Sequence, residues 1–250
     1  MATYCYDGSF EGLLTVIFRA FEHRSIPEQI ISTEYKQLGL LASAFTVNTD
    51  ELLAERVLRG IDKRTDNRGS RLIYHMFLSE QDGAEMTIFH LVKNLVDKGD
   101  ILSNFGNPYV AKAYQMDKMI GREVHRMHAF VRFQKVADAD MYFAIINPSC
   151  NVLPLIGEHF VKRYADQKWI IWDAVRNYGI YYDLQREIFI EPDHPLLKTL
   201  VESSKQEDCY QQLWVDYFNS VNIRERKNTK LHLRHMPKRY WRYLTEKHSR

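Results

Sequence analysis

The chain has 250 residues, 45% hydrophobic and 26% charged, which excludes an intrinsically disordered chain and leaves enough apolar surface for one large domain or two small ones. Its three cysteines, Cys5, Cys150 and Cys209, share no CxxC spacing, which argues against a disulfide framework, a zinc ribbon or an iron–sulfur cluster held by this chain alone. No basic-then-apolar leader and no run of about 18 apolar residues occurs, so the expected location is the cytoplasm, away from membranes.

Tyr4-Cys5-Tyr6 predicts a short strand and Asp7-Gly8 its turn. Ser9 suits the cap of a helix, because its hydroxyl can accept a free N–H of the first turn, and Leu13, Leu14, Ile17, Phe18 and Phe21 then recur at helical spacing up to Pro27. A strand is expected within 40–47. A helix follows from Thr49 or Asp50, with Leu52, Leu53, Val57 and Leu58 on one face. The polar stretch GIDKRTDNRG (60–69) reads as a loop, and helical patterns resume at 70–80 and 84–97. Gly99, Gly106 and Pro108 mark a break. A soft boundary near 107 separates a mostly helical part, 1–107, from an α+β part, 108–250, unless the two form one domain.

The second part predicts a helix over 109–126 and strands over 128–135 (HAFVRFQK) and 141–146 (MYFAII). A helix over 152–165 carries Val152, Leu155, Ile156, Phe160 and Tyr164. Strands follow at 168–173, 178–184 and 186–191. The order α-β-β-α-β-β implies a mainly antiparallel sheet with helices on one face. An amphipathic helix through Tyr210, Leu213, Trp214, Tyr217, Phe218 and Val221 leads into a basic helical segment, where Pro237 opens a last helix bearing Tyr240, Trp241 and Leu244.

The net charge of +2 conceals an asymmetry: residues 221–250 hold ten Lys/Arg against two acids, Glu225 and Glu246, whereas the other 220 residues are net acidic. Bases interleaved with aromatics suit phosphate contact and base stacking. Arg224, Arg226, Lys227, Lys230, Arg234, Lys238, Arg239 and Arg242 are the candidate nucleic-acid grip; a solvated tail pinned by its aromatics is the simpler alternative. In the sheet, Phe130, Arg132 and Tyr142 could stack unpaired bases, although aromatics at strand spacing more often pack. The pairs His125–His128 and His232–His235 have HxxH spacing but are expected to straddle or miss helices, and His159 reads as a core histidine, so no metal site is expected. Arg163, Asp173, Arg176, Tyr182 and Asp183 are the candidate catalytic set: a hairpin would bring Asp173 near Tyr182 or Asp183, and paired carboxylates can do acid–base or metal work. An Asp173–Arg176 turn salt bridge is the structural alternative. Phosphate-loop, dinucleotide, serine-elbow and zinc-deaminase signatures are missing, so no cofactor is expected.

Four stretches, YDGSFEGLL (6–14), REVHRMHAFVRF (122–133), HFVKRYADQKWIIWDAVRNYGIYYD (159–183) and HMPKRYW (235–241), carry a family likeness. Together they resemble bacterial DNA-repair (DNA-metabolism) proteins encoded beside a DNA-repair radical-SAM protein, over essentially the whole chain. The domain is also similar to the C-terminal extension of uracil-DNA-glycosylase-like proteins that bind uracil-containing DNA. Those relatives match at Met127 to Phe133, Arg163, Trp169, Pro237, Tyr240 and Trp241, and differ at His159 and His235. The resemblance implies a DNA-repair context, with DNA and the radical-SAM protein as partners; it supplies no reaction. Three expectations follow: a DNA-binding accessory protein, an enzyme acting on nucleic acid or nucleotides through the Asp173 cluster, or a protein-binding scaffold.

Overall fold

A computed structural model describes residues 2–32, 44–136, 140–195 and 240. The chain is mixed α/β, with a mostly helical first half followed by a five-stranded sheet. It divides into two compact units, and the division falls after Ile120.

The first unit begins with β1 (Ala2–Tyr6). Ser9 caps α1 (Phe10–Glu22), its hydroxyl accepting the Gly12 N–H at 2.9 Å. β2 (Pro27–Ser32) and β3 (Phe45–Thr46) flank β1 in parallel, in the order β2-β1-β3. The sequence pattern does not foresee β2, since Pro27 reads only as a helix stop. Proline is tolerated as the first residue of a strand, where its missing N–H costs least. Asp50 caps α2 (Glu51–Thr65), accepting from the amides of Leu52 and Leu53. The loop expected over 60–69 is a correction: α2 runs on to Thr65, and the chain reverses only over Asp66 and Asn67, both in the left-handed region. α3 (Gly69–Leu78) and α4 (Ala84–Lys98) complete the layer. Leu13, Leu14, Ile17, Ile73, Met76, Ile88 and Leu91 form the centre of its core. Burial of that kind is the main stabilising term for a unit of this size.

The long helix α5 (Pro108–Phe130) overrides the strand expected from residue 128. Ala129, Val131 and Phe133 alternate, but His128, Ala129 and Phe130 are helical, and the strand shrinks to β4 (Gln134–Lys135). The expected sheet face of Phe130, Arg132 and Tyr142 therefore does not exist as one surface. β4 pairs antiparallel with β5 (Tyr142–Ile146). From β5 the chain crosses through α6 (Leu153–Arg163) to β6 (Trp169–Asp173), which lies parallel to β5. β7 (Tyr178–Tyr182) and β8 (Glu187–Ile190) add an antiparallel meander, giving the order β4-β5-β6-β7-β8. The sheet is thus mixed but mostly antiparallel. One face carries Ala144, Ile146, Trp169, Ile171, Ile180 and Tyr182, all buried, and α6 packs on it through Phe160 against Trp169. The amphipathic helix expected over 210–221 and the last helix after Pro237 lie outside the described residues, except for Tyr240. Among the described residues no helix is long and apolar enough to cross a membrane.

Candidate functional site

The βαβ crossover collects polar groups at the carboxyl ends of β5 and β6, where open α/β sheets hold their ligands. Asp173 ends β6 with a fully buried side chain, 0% exposed. Its Oδ1 accepts from the amides of Val175 (2.8 Å) and Arg176 (3.3 Å), and its Oδ2 accepts from Arg176 Nη1 at 2.9 Å. The same guanidinium reaches the Pro148 carbonyl at 3.3 Å, and Asn177 closes the turn at φ 57°. Burial pushes the Asp173 carboxyl above its usual range, although Arg176 and the amides pull against it. Three donors already occupy this carboxylate, so the arrangement is a turn salt bridge.

The rest of the expected catalytic set stands elsewhere. The hairpin pairs Asp173 with Tyr178 and Trp169 with Tyr182, so Tyr182 and Asp183 lie at the opposite end of the two strands from Asp173. That register corrects the expected closeness: a tight turn at 174–177 pairs Asp173 with its near neighbour, not with a residue nine positions on. Tyr182 donates to the Ala165 carbonyl at 3.4 Å. Asp183 accepts the amides of Arg186 and Gln185, which hold its carboxyl below the usual range. Arg163, exposed in the last turn of α6, lies over the Tyr164 ring at 5.7 Å.

Glu123 is a residue that the sequence motifs do not single out. Met116, Ile120, Glu123 and Met127 follow one stripe of α5, and all are buried. A carboxylate on such a stripe is the signal that could have found it, because burial of a charge demands partners. Glu123, 1% exposed, accepts from the Ser149 amide at 2.7 Å, from Arg126 Nη1 at 3.1 Å and from the Tyr240 hydroxyl. Tyr240, 3% exposed, also meets Phe130 at 5.7 Å between ring centroids, two turns along the same helix face. Two residues after Ser149, Asn151 accepts from the Tyr178 hydroxyl at 2.5 Å. Glu123 and Tyr240 stand in the second and fourth of the stretches that carry the family likeness, and they meet at the loop that leads into α6. The basic residues Arg224, Arg226, Lys227, Lys230, Arg234, Lys238, Arg239 and Arg242 all lie outside the described residues.

The histidines are a further correction. His125 and His128 both lie in α5, on one face at i and i+3. His128 stacks on His159 of α6, with centroids 4.0 Å apart and rings 16° from parallel. Its Nε2 is buried and has no hydrogen-bond partner among the described residues. Burial, then the neighbouring His159 and His125, lower its pKa below the ordinary imidazole value. His159 is half-buried, at the edge of the core and not inside it. Among the described residues no group of three His, Cys, Asp or Glu side chains is placed to hold a metal ion; His232 and His235 lie outside them.

The first unit has its own polar cluster, at the carboxyl end of β1. Asp7 accepts from the Ser9 amide at 2.9 Å and hydroxyl at 2.6 Å, and from the Thr49 hydroxyl at 2.6 Å. Partial burial raises its pKa, but the hydrogen bonds from Ser9 and Thr49 outweigh that and leave it below the usual range. A Cβ at Gly12 would stand 2.3 Å from Asp7 Oδ1, so a larger residue there must displace that carboxylate.

A family model for a domain of unknown function, DUF4130, matches residues 82–246. The chain belongs to the DUF4130 family. Neither a curated protein nor a solved structure matches it. The DUF4130 region spans α4, α5 and the whole five-stranded sheet, and so contains the Glu123–Tyr240 contact and the histidine stack.

Proposed function

We propose that this DUF4130 protein is a nucleic-acid-binding accessory protein of DNA metabolism that grips the phosphate backbone through its basic C-terminal segment and works beside a radical-SAM partner. The observation that carries the reading is the burial of Tyr240 against Glu123 and Phe130. Tyr240 is adjacent in sequence to Arg239 and two positions before Arg242, inside the stretch 221–250 where the cations are concentrated. Clustered Lys and Arg release counterions from nucleic acid and supply most of its non-specific affinity. The likeness of the four stretches to DNA-repair proteins points the same way. An enzyme built on Asp173 has less support, because that carboxylate is occupied and Tyr182 and Asp183 are remote from it.

The test is fluorescence anisotropy with single- and double-stranded DNA across a salt series, comparing the wild type with a variant carrying Arg234, Lys238, Arg239 and Arg242 changed to Ala. The expected result is steep weakening of affinity with salt, with the slope flattened by about 0.7–0.9 for each phosphate that the variant no longer neutralises. Absence of binding at low salt overturns the reading. The partnership is tested by co-purification with the radical-SAM protein, with and without DNA; no association in either case removes that part. Complex formation that DNA does not compete with would favour the scaffold.

A further inference from the structure

The ends of α5 and α6 carry a group of side chains that neither the turn chemistry nor the basic segment uses. His128 lies in the last turn of α5 and His159 in the middle of α6, with their rings stacked. His125 is one turn earlier on α5, and Arg163 one turn later on α6. Phe133, three residues beyond α5, touches Phe160 and Tyr164, so the chain leaving α5 passes along the last turn of α6. His125, the stacked pair and Arg163 therefore follow one another along a seam about two helical turns long, roughly 11 Å.

Glu187 of β8 packs against Gly157 of α6, and burial and the neighbouring Glu158 hold its carboxyl above the usual range. Glu158 is paired with Lys162, and Glu123 with Arg126. Phe160, which touches both stacked rings, and Phe133 and Trp169 behind it bring no charge. Arg132 turns back onto the Ala129 and Val131 carbonyls, where a cation is favoured by the helix end. His125, His159 and Arg163 have no carboxylate partner among the described residues.

We propose that His159, Arg163 and His125 form a phosphate-contact surface for a nucleic-acid strand, with His128 as the positioning residue beneath His159. This rests on the nucleic-acid reading above and adds a place and a pH dependence to it. The division of labour follows from the stack. Protonating His128 would put an N–H at a buried Nε2 that has no acceptor, which disfavours its charged form. A neutral ring lying flat at 4.0 Å presents the partner imidazole in one orientation. Two charged rings at that distance would repel, so the stack admits at most one charge. A phosphate beside His159 favours its charged form, and Arg163 supplies a permanent cation one turn on. The length of the seam suits two successive phosphates better than a lone anion.

The experiment measures affinity for a fluorescein-labelled single-stranded oligonucleotide at pH 5.8 and pH 7.8, at constant ionic strength, with the full chain. The wild type is expected to bind several-fold more tightly at the lower pH. His159→Gln should lose most of that difference, whereas His128→Phe, which keeps a flat neutral ring beneath His159, should retain it. Urea midpoints verify that both variants fold. In parallel, the His159 ring resonances are followed from pH 5 to pH 8 in chloride and in inorganic phosphate, and the midpoint should move up in phosphate. An equal pH dependence in wild type and His159→Gln overturns the proposal, as does a His159 midpoint that neither phosphate nor oligonucleotide moves. If the chain binds no oligonucleotide at either pH, the function proposed above falls, and the titration in inorganic phosphate alone decides the seam.

Discussion

Replacing Glu123 by Ala removes one acceptor from two donors inside the second unit, the Tyr240 hydroxyl and the Ser149 amide, and takes the partner from Arg126. Depriving a buried donor of its acceptor costs about 1–3 kcal/mol. The Arg126 side chain is 28% exposed and recovers part of its deficit from water. Breaking a buried charged pair from one side costs about 3–5 kcal/mol, and the same range is expected for Glu123→Ala. Glu123→Gln keeps an oxygen toward Tyr240 and Ser149 and should cost only about 1 kcal/mol. The assay is urea denaturation followed by tryptophan fluorescence. All four tryptophans, Trp169, Trp172, Trp214 and Trp241, follow Ile120 in the sequence, and Trp169 and Trp172 report on the five-stranded sheet. Tyr240→Phe closes a double-mutant cycle, and the coupling between the two positions should be about 0.5–3 kcal/mol. A Glu123→Ala protein within about 0.5 kcal/mol of wild type, or a cycle with no coupling, would refute the claim that this contact anchors Tyr240.

Two further outcomes are expected. Gly179→Ala puts a Cβ 2.7 Å from the Trp172 indole and 2.9 Å from the Ile171 carbonyl; overpacking of that kind costs about 1–3 kcal/mol, and an unchanged urea midpoint would show that the indole simply moves aside. Arg176→Ala leaves Asp173 buried without its cation, a destabilisation of about 3–5 kcal/mol at neutral pH. The Asp173 carboxyl is already held above its usual range by burial and rises further without Arg176. The folded state then takes up the proton more readily than the unfolded chain, so stability is greatest at low pH and falls as pH rises through the folded-state value. The deficit should therefore shrink between pH 7 and pH 4.5, and a deficit of the same size at both pH values would count against this account.

The second unit is largely legible in the sequence because its strands are short apolar runs separated by strong turn residues. Asp173, Asn177 and Asp183 sit at the reversals that the structure shows. The departures have local causes. At 128–135 the apolar residues alternate, yet three more residues of an already formed helix cost less than starting a strand, and Arg132 can cap the exposed carbonyls. At 60–69 the turn-forming composition misleads: Gly60 sits inside a helix, where glycine costs only about 1 kcal/mol relative to alanine. The parallel sheet of the first unit is hidden because its pairings join distant segments, Tyr4 to Ile30 and to Phe45, and no local period encodes a partner. The site is less legible for the same reason. Glu123 meets Tyr240 across 117 positions, and His128 meets His159 only because α6 crosses back beside α5.

Among the described residues each unit contains one cysteine from which solvent is excluded: Cys5 in the middle of the parallel sheet and Cys150 in the loop before α6, both 0% exposed. A thiol reagent can reach either sulfur only through an opening of the structure around it. In a Cys209→Ser background the two labelling rates, read at the peptide level, would be separate clocks for the opening of the two units under native conditions. Any ligand that holds only one unit closed would slow one clock and leave the other running at its own pace.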